Sequence, residues 1–289
     1  MADAPIYIHA GAHRTGTSSF QMCLHENRHV LDARGWTTAY PGRDGIPSGD
    51  LALRLPSGRR VDPEAAAKKA ARGLDAYRDG RPVILAEENV PGRMFHFMQG
   101  QFYPFANVRC AALRSAWAGP IAHVMLVVRP YDQLFVSSFR KRAEDNEMRD
   151  FDDVRDSYMN MDRGWPDLVT LMQDILQPEC MTVVPYASRG TNVDLLKLLV
   201  RDLEAEALVE PKRLVNQSAT DAALLALQKR YRRGENLSRH DWQAVIKQYA
   251  DDTDPKGFAA FSETEIAELS ARYESDLKQI EWMTSVSFA

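Results

Sequence analysis

Short runs of adjacent apolar residues alternate along the first two-thirds of the chain with stretches in which apolar residues recur at the helix period. Runs of the first kind are Pro5–Ala10 (PIYIHA), Pro82–Ala86 (PVILA), Ile121–Val128 (IAHVMLVV) and Met181–Val184. Unbroken apolar character of this length is what a strand buried on both faces requires. Stretches of the second kind predict helices over Thr17–Leu31, Glu64–Arg78 (ended by Asp79-Gly80), within Pro104–Ala118, from Tyr131 onward and over Trp165–Leu176. After about Asn192 the pattern reads helical throughout: Val193–Leu203, Thr220–Arg232, His240–Ala250 and Ser262–Trp282. Strands alternating with helices predict an α/β fold, a parallel sheet flanked by helices with a largely helical C-terminal part. The tail offers no further strand in this reading and is expected to pack as an accessory layer or lid. No internal repeat or low-complexity segment appears. A single domain over 1–289 is expected, with an α/β nucleotide-binding core at 1–190 and a helical portion at 191–289.

Between Tyr40 and Pro63 the pattern breaks into a stretch dense in Pro, Gly and Arg (YPGRDGIPSGDLALRLPSGRRVDP), which is loop chemistry with one short turn expected around Leu51–Leu55. Arg43, Arg54, Arg59 and Arg60 in it could close over an anionic acceptor, but ordinary solvated charge is the simpler reading.

Charge and cysteine content narrow the function classes. A net charge of -4 argues against a general nucleic-acid binder. Cys23, Cys110 and Cys180 are odd in number and far apart, without metal-ligand spacing, so thiols in a reducing compartment are expected. The opening MADAPIYIHAGAHR lacks a basic lead before an apolar stretch, and no run is long enough to span a bilayer. A cytoplasmic protein is the expectation.

The chemistry concentrates in Gly11-Ala12-His13-Arg14-Thr15-Gly16-Thr17-Ser18, directly after the first strand and opening the first helix. Such a loop binds anions because the first-turn amides of a helix lack intrahelical acceptors and the peptide dipoles leave partial positive charge there. Thr15, Thr17 and Ser18 could add hydroxyl donors. The spacing matches the nucleoside-triphosphate loop G-x-x-x-x-G-K-[ST] except that Thr17 stands where the lysine belongs, and the cation has moved to Arg14. No apolar run ends in an Asp placed to hold Mg²⁺: Val83–Ala86 leads into Glu87-Glu88, and Val124–Val128 into Arg129.

His13-Arg14-Thr15-Gly16-Thr17-Ser18 resembles the 5′-phosphosulfate loop of the sulfotransferases that use 3′-phosphoadenosine 5′-phosphosulfate (PAPS). Arg129-Pro130-Tyr131-Asp132-Gln133-Leu134-Phe135-Val136-Ser137 is similar to that family's 3′-phosphate signature, an Arg at a strand end and a Ser in the following helix. The resemblance implies a P-loop-type sheet, PAPS as donor with no metal required, and contacts to it from His13, Arg14, Thr15, Gly16, Thr17, Ser18, Arg129 and Ser137. It also implies catalytic roles for Arg14, where many members carry Lys, and for Glu88 (less so Glu87) as base, where many carry His. Sulfuryl transfer to a hydroxyl or amine, on a glycan or lipid acceptor, is the expected activity. A P-loop kinase or phosphotransferase, or a non-catalytic nucleotide-binding protein, is the alternative.

Four further features have structural readings. His9 is expected to be a satisfied core residue. Arg140-Lys141-Arg142 could add positive field or form an exposed face. Ser218, in Asn216-Gln217-Ser218, fits a helix N-cap. Trp165, Trp242 and Trp282 are expected to serve packing.

Overall fold

The computed structural model describes residues 3–58, 60–201, 203, 208–212 and 218–289; Arg59, Asn216 and Gln217 lie outside the described residues, as does the Asp44 side chain. Six parallel strands form one sheet in the order β2-β3-β1-β4-β5-β6: β1 Ile6–His9, β2 Thr37–Ala39, β3 Val83–Ala86, β4 Ile121–Val128, β5 Cys180–Pro185 and β6 Ser287–Phe288. The sheet pairs Ile8 with Leu85 on one side and with Val124 on the other, so β1 lies at its centre.

The apolar runs are continuous because each strand feeds two cores. On one face Ile8, Leu85, Val124, Leu126 and Val183 join the larger core with α2 (Pro63–Leu74), α3 (Ala106–Ala116), α4 (Tyr131–Ala143), α5 (Asp152–Met159) and α6 (Trp165–Leu176). On the other, Ile84, Ala86, Met125, Val127 and Val184 pack on Phe20 and Leu24 of α1 (Thr17–Ala33) and on Leu195 and Leu199 of α7 (Asn192–Leu199). Residues of alternating parity serve opposite faces, as the pleat demands.

The tail is tied to this frame. α8 (Asp221–Tyr231) and α10 (Glu263–Glu281) contribute Leu224, Leu269, Tyr273 and Ile280 to the larger core, while α9 (Arg239–Gln248) meets α8 through Val245. Tyr273 Oη donates to the Val128 carbonyl at 3.2 Å, and Asp276 accepts the Tyr131 hydroxyl. The tail also supplies β6, which pairs with β5. The expectation that it had no strand to offer is therefore corrected: two residues at the sheet edge leave no periodicity to read. β2, with three residues, and α5 were likewise unforeseen.

Smaller corrections follow. Leu51–Leu55 makes no helical turn; a short 3₁₀ turn stands instead at Arg43–Gly45. The N-cap of α8 is Thr220, whose hydroxyl accepts from the Ala223 amide, because the chain enters the helix two residues after Ser218. Trp165 is buried, but Trp282 is 85% exposed at the end of α10 and packs nothing. His9 is buried and stacks on Phe20 with ring centroids 4.4 Å apart. It is only half satisfied: Nδ1 accepts from the Gly11 amide at 3.3 Å while Nε2 has no partner among the described residues. Among the described residues no helix is long and apolar enough to cross a membrane.

Candidate functional site

The chain after β1 runs first to one side of the sheet (β2, β3) and then crosses to the other (β4, β5, β6). Side loops diverge at such a reversal and leave a crevice beyond the carboxyl ends of the strands, where open α/β sheets hold ligands. The glycine loop fills that position. Gly11 has φ +90°, and a Cβ there would stand 2.8 Å from the Glu88 Cα, so only glycine lets the ends of β1 and β3 approach this closely. Gly16, the N-cap of α1, has φ +95° and supplies no capping side chain, and no acidic residue occupies the first turn. That helix end therefore presents its amides and its positive dipole end to the crevice without an internal anion.

A cavity of about 330 Å³ opens over it, lined by residues that include His13, Arg14, Gly16, Thr17, Ser18, Glu88, Arg129 and Arg189. Arg14 adopts φ +63°. In this turn its carbonyl accepts from Arg129 Nη1 at 2.8 Å, its Nε donates to Ser137 Oγ at 2.8 Å, and its Nη2 donates to Ser218 Oγ at 3.2 Å. The two motifs, more than a hundred residues apart, thus meet through Arg14. Ser137 is buried behind it on α4. Thr15 departs from expectation: it is fully buried, and its hydroxyl donates to the Ala12 carbonyl at 2.7 Å, so it braces the loop. The Thr17 hydroxyl is turned the same way, at 3.1 Å.

Two residues that sequence reasoning passed over complete the cationic wall. Arg189, in the loop after β5, lies against the α1 N-terminus, where a Cβ on Gly16 would stand 2.6 Å from its Nη1. Tyr186 carries both Arg129 and Arg189 over its ring, at 4.7 and 5.2 Å from the centroid. Arg129 Nε and Arg189 Nη1 are buried with no hydrogen-bond acceptor among the described residues. Burial pulls the Arg129 guanidinium below its ordinary range, which an anion between the cations would reverse. Ser188-Arg189-Gly190 is one basic residue in a turn, and no spacing in the sequence links it to the glycine loop.

The carboxylates after β3 face two spaces. Glu88 lines the cavity beside Arg14, with Gln21 Nε2 donating to it at 3.0 Å and Arg43 Nη1 paired with it at 2.9 Å. Glu87 is 1% exposed and lines the neighbouring cleft. Burial and the adjacent Glu88 push its carboxyl up, while Arg43 and the Asn89 amides pull it back. It accepts from Arg43 Nη2 and, at 2.9 Å, from both the backbone and side-chain amides of Asn89. Arg43 is therefore no idle loop charge: it clamps both carboxylates. Asn89 Nδ2 donates to Glu87, so its Oδ1 accepts from His13 Nε2 at 2.9 Å. Burial lowers His13 to about 4 and keeps the ring neutral near pH 7. His13 stands between the cavity and the cleft, lining both.

Of the basic run on α4, Arg140 pairs with Asp221, Lys141 pairs with Glu144 at 2.7 Å while lining the cavity, and Arg142 lines the cleft. No three His, Cys, Asp or Glu side chains cluster in a way that could hold a metal among the described residues. Compared with known proteins, the chain matches no family model and no curated protein sequence.

Proposed function

We propose that the chain is a sulfotransferase that takes a sulfuryl group from PAPS and passes it to a hydroxyl or amine on a glycan or lipid acceptor. The observation that carries this reading is the convergence of Arg14, Arg129, Ser137 and Arg189 on the uncapped start of α1, with two buried guanidinium N–H groups lacking acceptors. Such a wall suits a donor with an anionic group at each end of its ribose. The helix start and Arg14 would take the 5′-phosphosulfate, and Arg129 with Ser137 the 3′-phosphate, since a guanidinium fork matches phosphate oxygens.

PAPS supplies an activated sulfuryl group whose bond to the 5′-phosphate oxygen breaks as the bond from acceptor oxygen or nitrogen to sulfur forms. Arg14 and the loop amides stabilise the charge that grows on the departing phosphate, an electrostatic role set before reaction begins. Glu88 lies on the same cavity and receives the acceptor's proton. Arg43 and Gln21 hold its carboxylate in place. Adenosine 3′,5′-bisphosphate (PAP) then leaves.

A phosphotransferase would need a lysine on the β- and γ-phosphates, and the one lysine lining the cavity among the described residues, Lys141, is engaged by Glu144. The deciding measurement is thermal stabilisation by nucleotides. PAP is expected to raise the Tm with or without EDTA, and ATP·Mg²⁺ to do much less. Equal or greater stabilisation by ATP·Mg²⁺ overturns the proposal in favour of a kinase.

A further inference from the structure

The larger cleft beside the transfer cavity has a composition that the donor does not explain. It measures about 780 Å³, within the range of small-molecule sites, and shares His13, Arg43 and Met94 with the cavity. Five arginines line it: Arg43, Arg54, Arg93, Arg109 and Arg142. Among the described residues Glu87 is the one acidic residue lining it, and Arg43 already clamps it. Arg109 is buried and gives its N–H groups to the carbonyls of Leu55, Pro56, Asn89 and Val90, which fixes the loop against the end of β3 without cancelling the charge. Arg54 and Arg93 are exposed at the rim, and no carboxylate among the described residues pairs with either. The Arg142 Nε is buried without an acceptor among the described residues.

This positive concentration stands in a protein whose net charge is -4, so it is local and directed. Its low-dielectric walls focus the field into the opening. The same cleft carries an apolar side made by Leu51, Leu53, Leu55 and Phe95. A molecule that fits has flat apolar faces and anionic edges, and it must present a hydroxyl or amine at the His13–Arg43 junction where cleft and cavity join.

We infer that the acceptor is an acidic saccharide, recognised through carboxylate groups by Arg54, Arg93 and Arg142. This rests on the sulfotransferase reading for the word acceptor, but the binding site itself is argued from the cleft alone.

The test titrates the protein, with and without PAP, with a tetrasaccharide of alternating glucuronate and N-acetylglucosamine and with its carboxyl-reduced, neutral form. The charged sugar is expected to bind at least ~10-fold more tightly, with an advantage that shrinks as salt rises. The double variant Arg54→Ala/Arg93→Ala should abolish that advantage while PAP stabilises it as it does the wild type. Equal binding of the two sugars, no binding of either, or an advantage untouched by the double variant each overturns the inference. Charge-dependent binding without any stabilisation by PAP leaves the cleft assignment standing and removes the sulfotransferase reading. Stabilisation by PAP with no preference for the charged sugar does the reverse.

Discussion

Arg129 and Arg189 flank one tyrosine ring but approach the glycine loop differently, and the difference is measurable. Arg129 holds the Arg14 carbonyl from the β4 side, whereas Arg189 lies on Gly16 at the start of α1. Replacing Arg129 by Ala removes a charged fork whose bonds are worth roughly 1.5–3 kcal/mol each. PAP is expected to bind about 10²–10⁴-fold more weakly, at about 1.4 kcal/mol per decade, while adenosine 5′-phosphosulfate, which lacks the 3′-phosphate, binds wild type and variant almost alike. Arg189→Ala should instead weaken both ligands, because both carry the 5′ group. Titration of the four combinations checks this; unchanged PAP affinity in Arg129→Ala would make that residue a strand-end charge only. Glu88→Gln keeps the shape that Gln21 and Arg43 hold but cannot accept a proton. PAP affinity should stay within a few-fold and turnover fall by at least ~10². Glu87→Gln addresses a carboxylate saturated by Arg43 and Asn89, so its effect should appear in folding stability more than in single-turnover rate. Near-normal turnover in Glu88→Gln would dismiss Glu88 as the base.

Among the elements, α10 bears on the site although none of its described residues lines the cavity. Its Asp276 accepts the hydroxyl of Tyr131, which opens α4, and its Tyr273 hydroxyl holds the last carbonyl of β4. Trp165 at the head of α6 donates to the Arg129 carbonyl at 3.1 Å. Arg129 is therefore braced by α6 and α10 rather than by its own strand alone. Asp276→Ala leaves the buried Tyr131 hydroxyl without its acceptor, at a cost of about 1–3 kcal/mol. Chemical denaturation should show that loss, and PAP affinity should fall with it if the brace positions Arg129. A variant within about 0.5 kcal/mol of wild type would show that the contact contributes nothing beyond its exposure to water.

At the scale of the whole molecule, the buried His9 and the half-buried His13 make folding depend on pH. Burial lowers His9 to about 3 and His13 to about 4, while both return to their ordinary value of 6.5 on unfolding. Below 6.5 the unfolded chain takes up protons that the folded one refuses, so stability is full above that pH and is lost as pH falls toward 4. By about pH 5 the combined loss should be on the order of a few kcal/mol. His96 and His123, also pulled down by burial, add to the same loss, while the raised carboxyls of Glu87 and Asp276 oppose it; Asp79 and Asp221 are held below their ordinary range, so their contribution persists to lower pH. A Tm series from about pH 7 to pH 5 should fall, and His9→Asn/His13→Asn should make the fall shallower. An equally steep series in the double variant would assign the loss to other groups.

How much of this could be read along the chain follows from the range over which each feature is encoded. The strands β1, β3, β4 and β5, the helices α1 and α6 and the strand–glycine–helix start are local: burial on both faces needs an unbroken apolar run, a helix needs its period, and a tight approach to β3 needs Gly11. All of them were legible as patterns of neighbours. So were Arg14, inside the glycine loop, and Arg129, at a strand end. What neighbours could not encode was partnership across the fold. Arg43 reaches two carboxylates from a loop, Arg189 reaches Gly16 after four intervening strands and six α-helices, and Thr15 spends its hydroxyl inward. The two-residue β6 exists only because β5 offers an open edge. Backbone periodicity is set within one or two turns of chain, whereas charge pairing and edge pairing are set by which loops the sheet order brings to the same side. The sequence by itself determined most of the elements and the uncapped glycine start of α1; the tertiary structure alone decided which cations surround it and which cleft adjoins it.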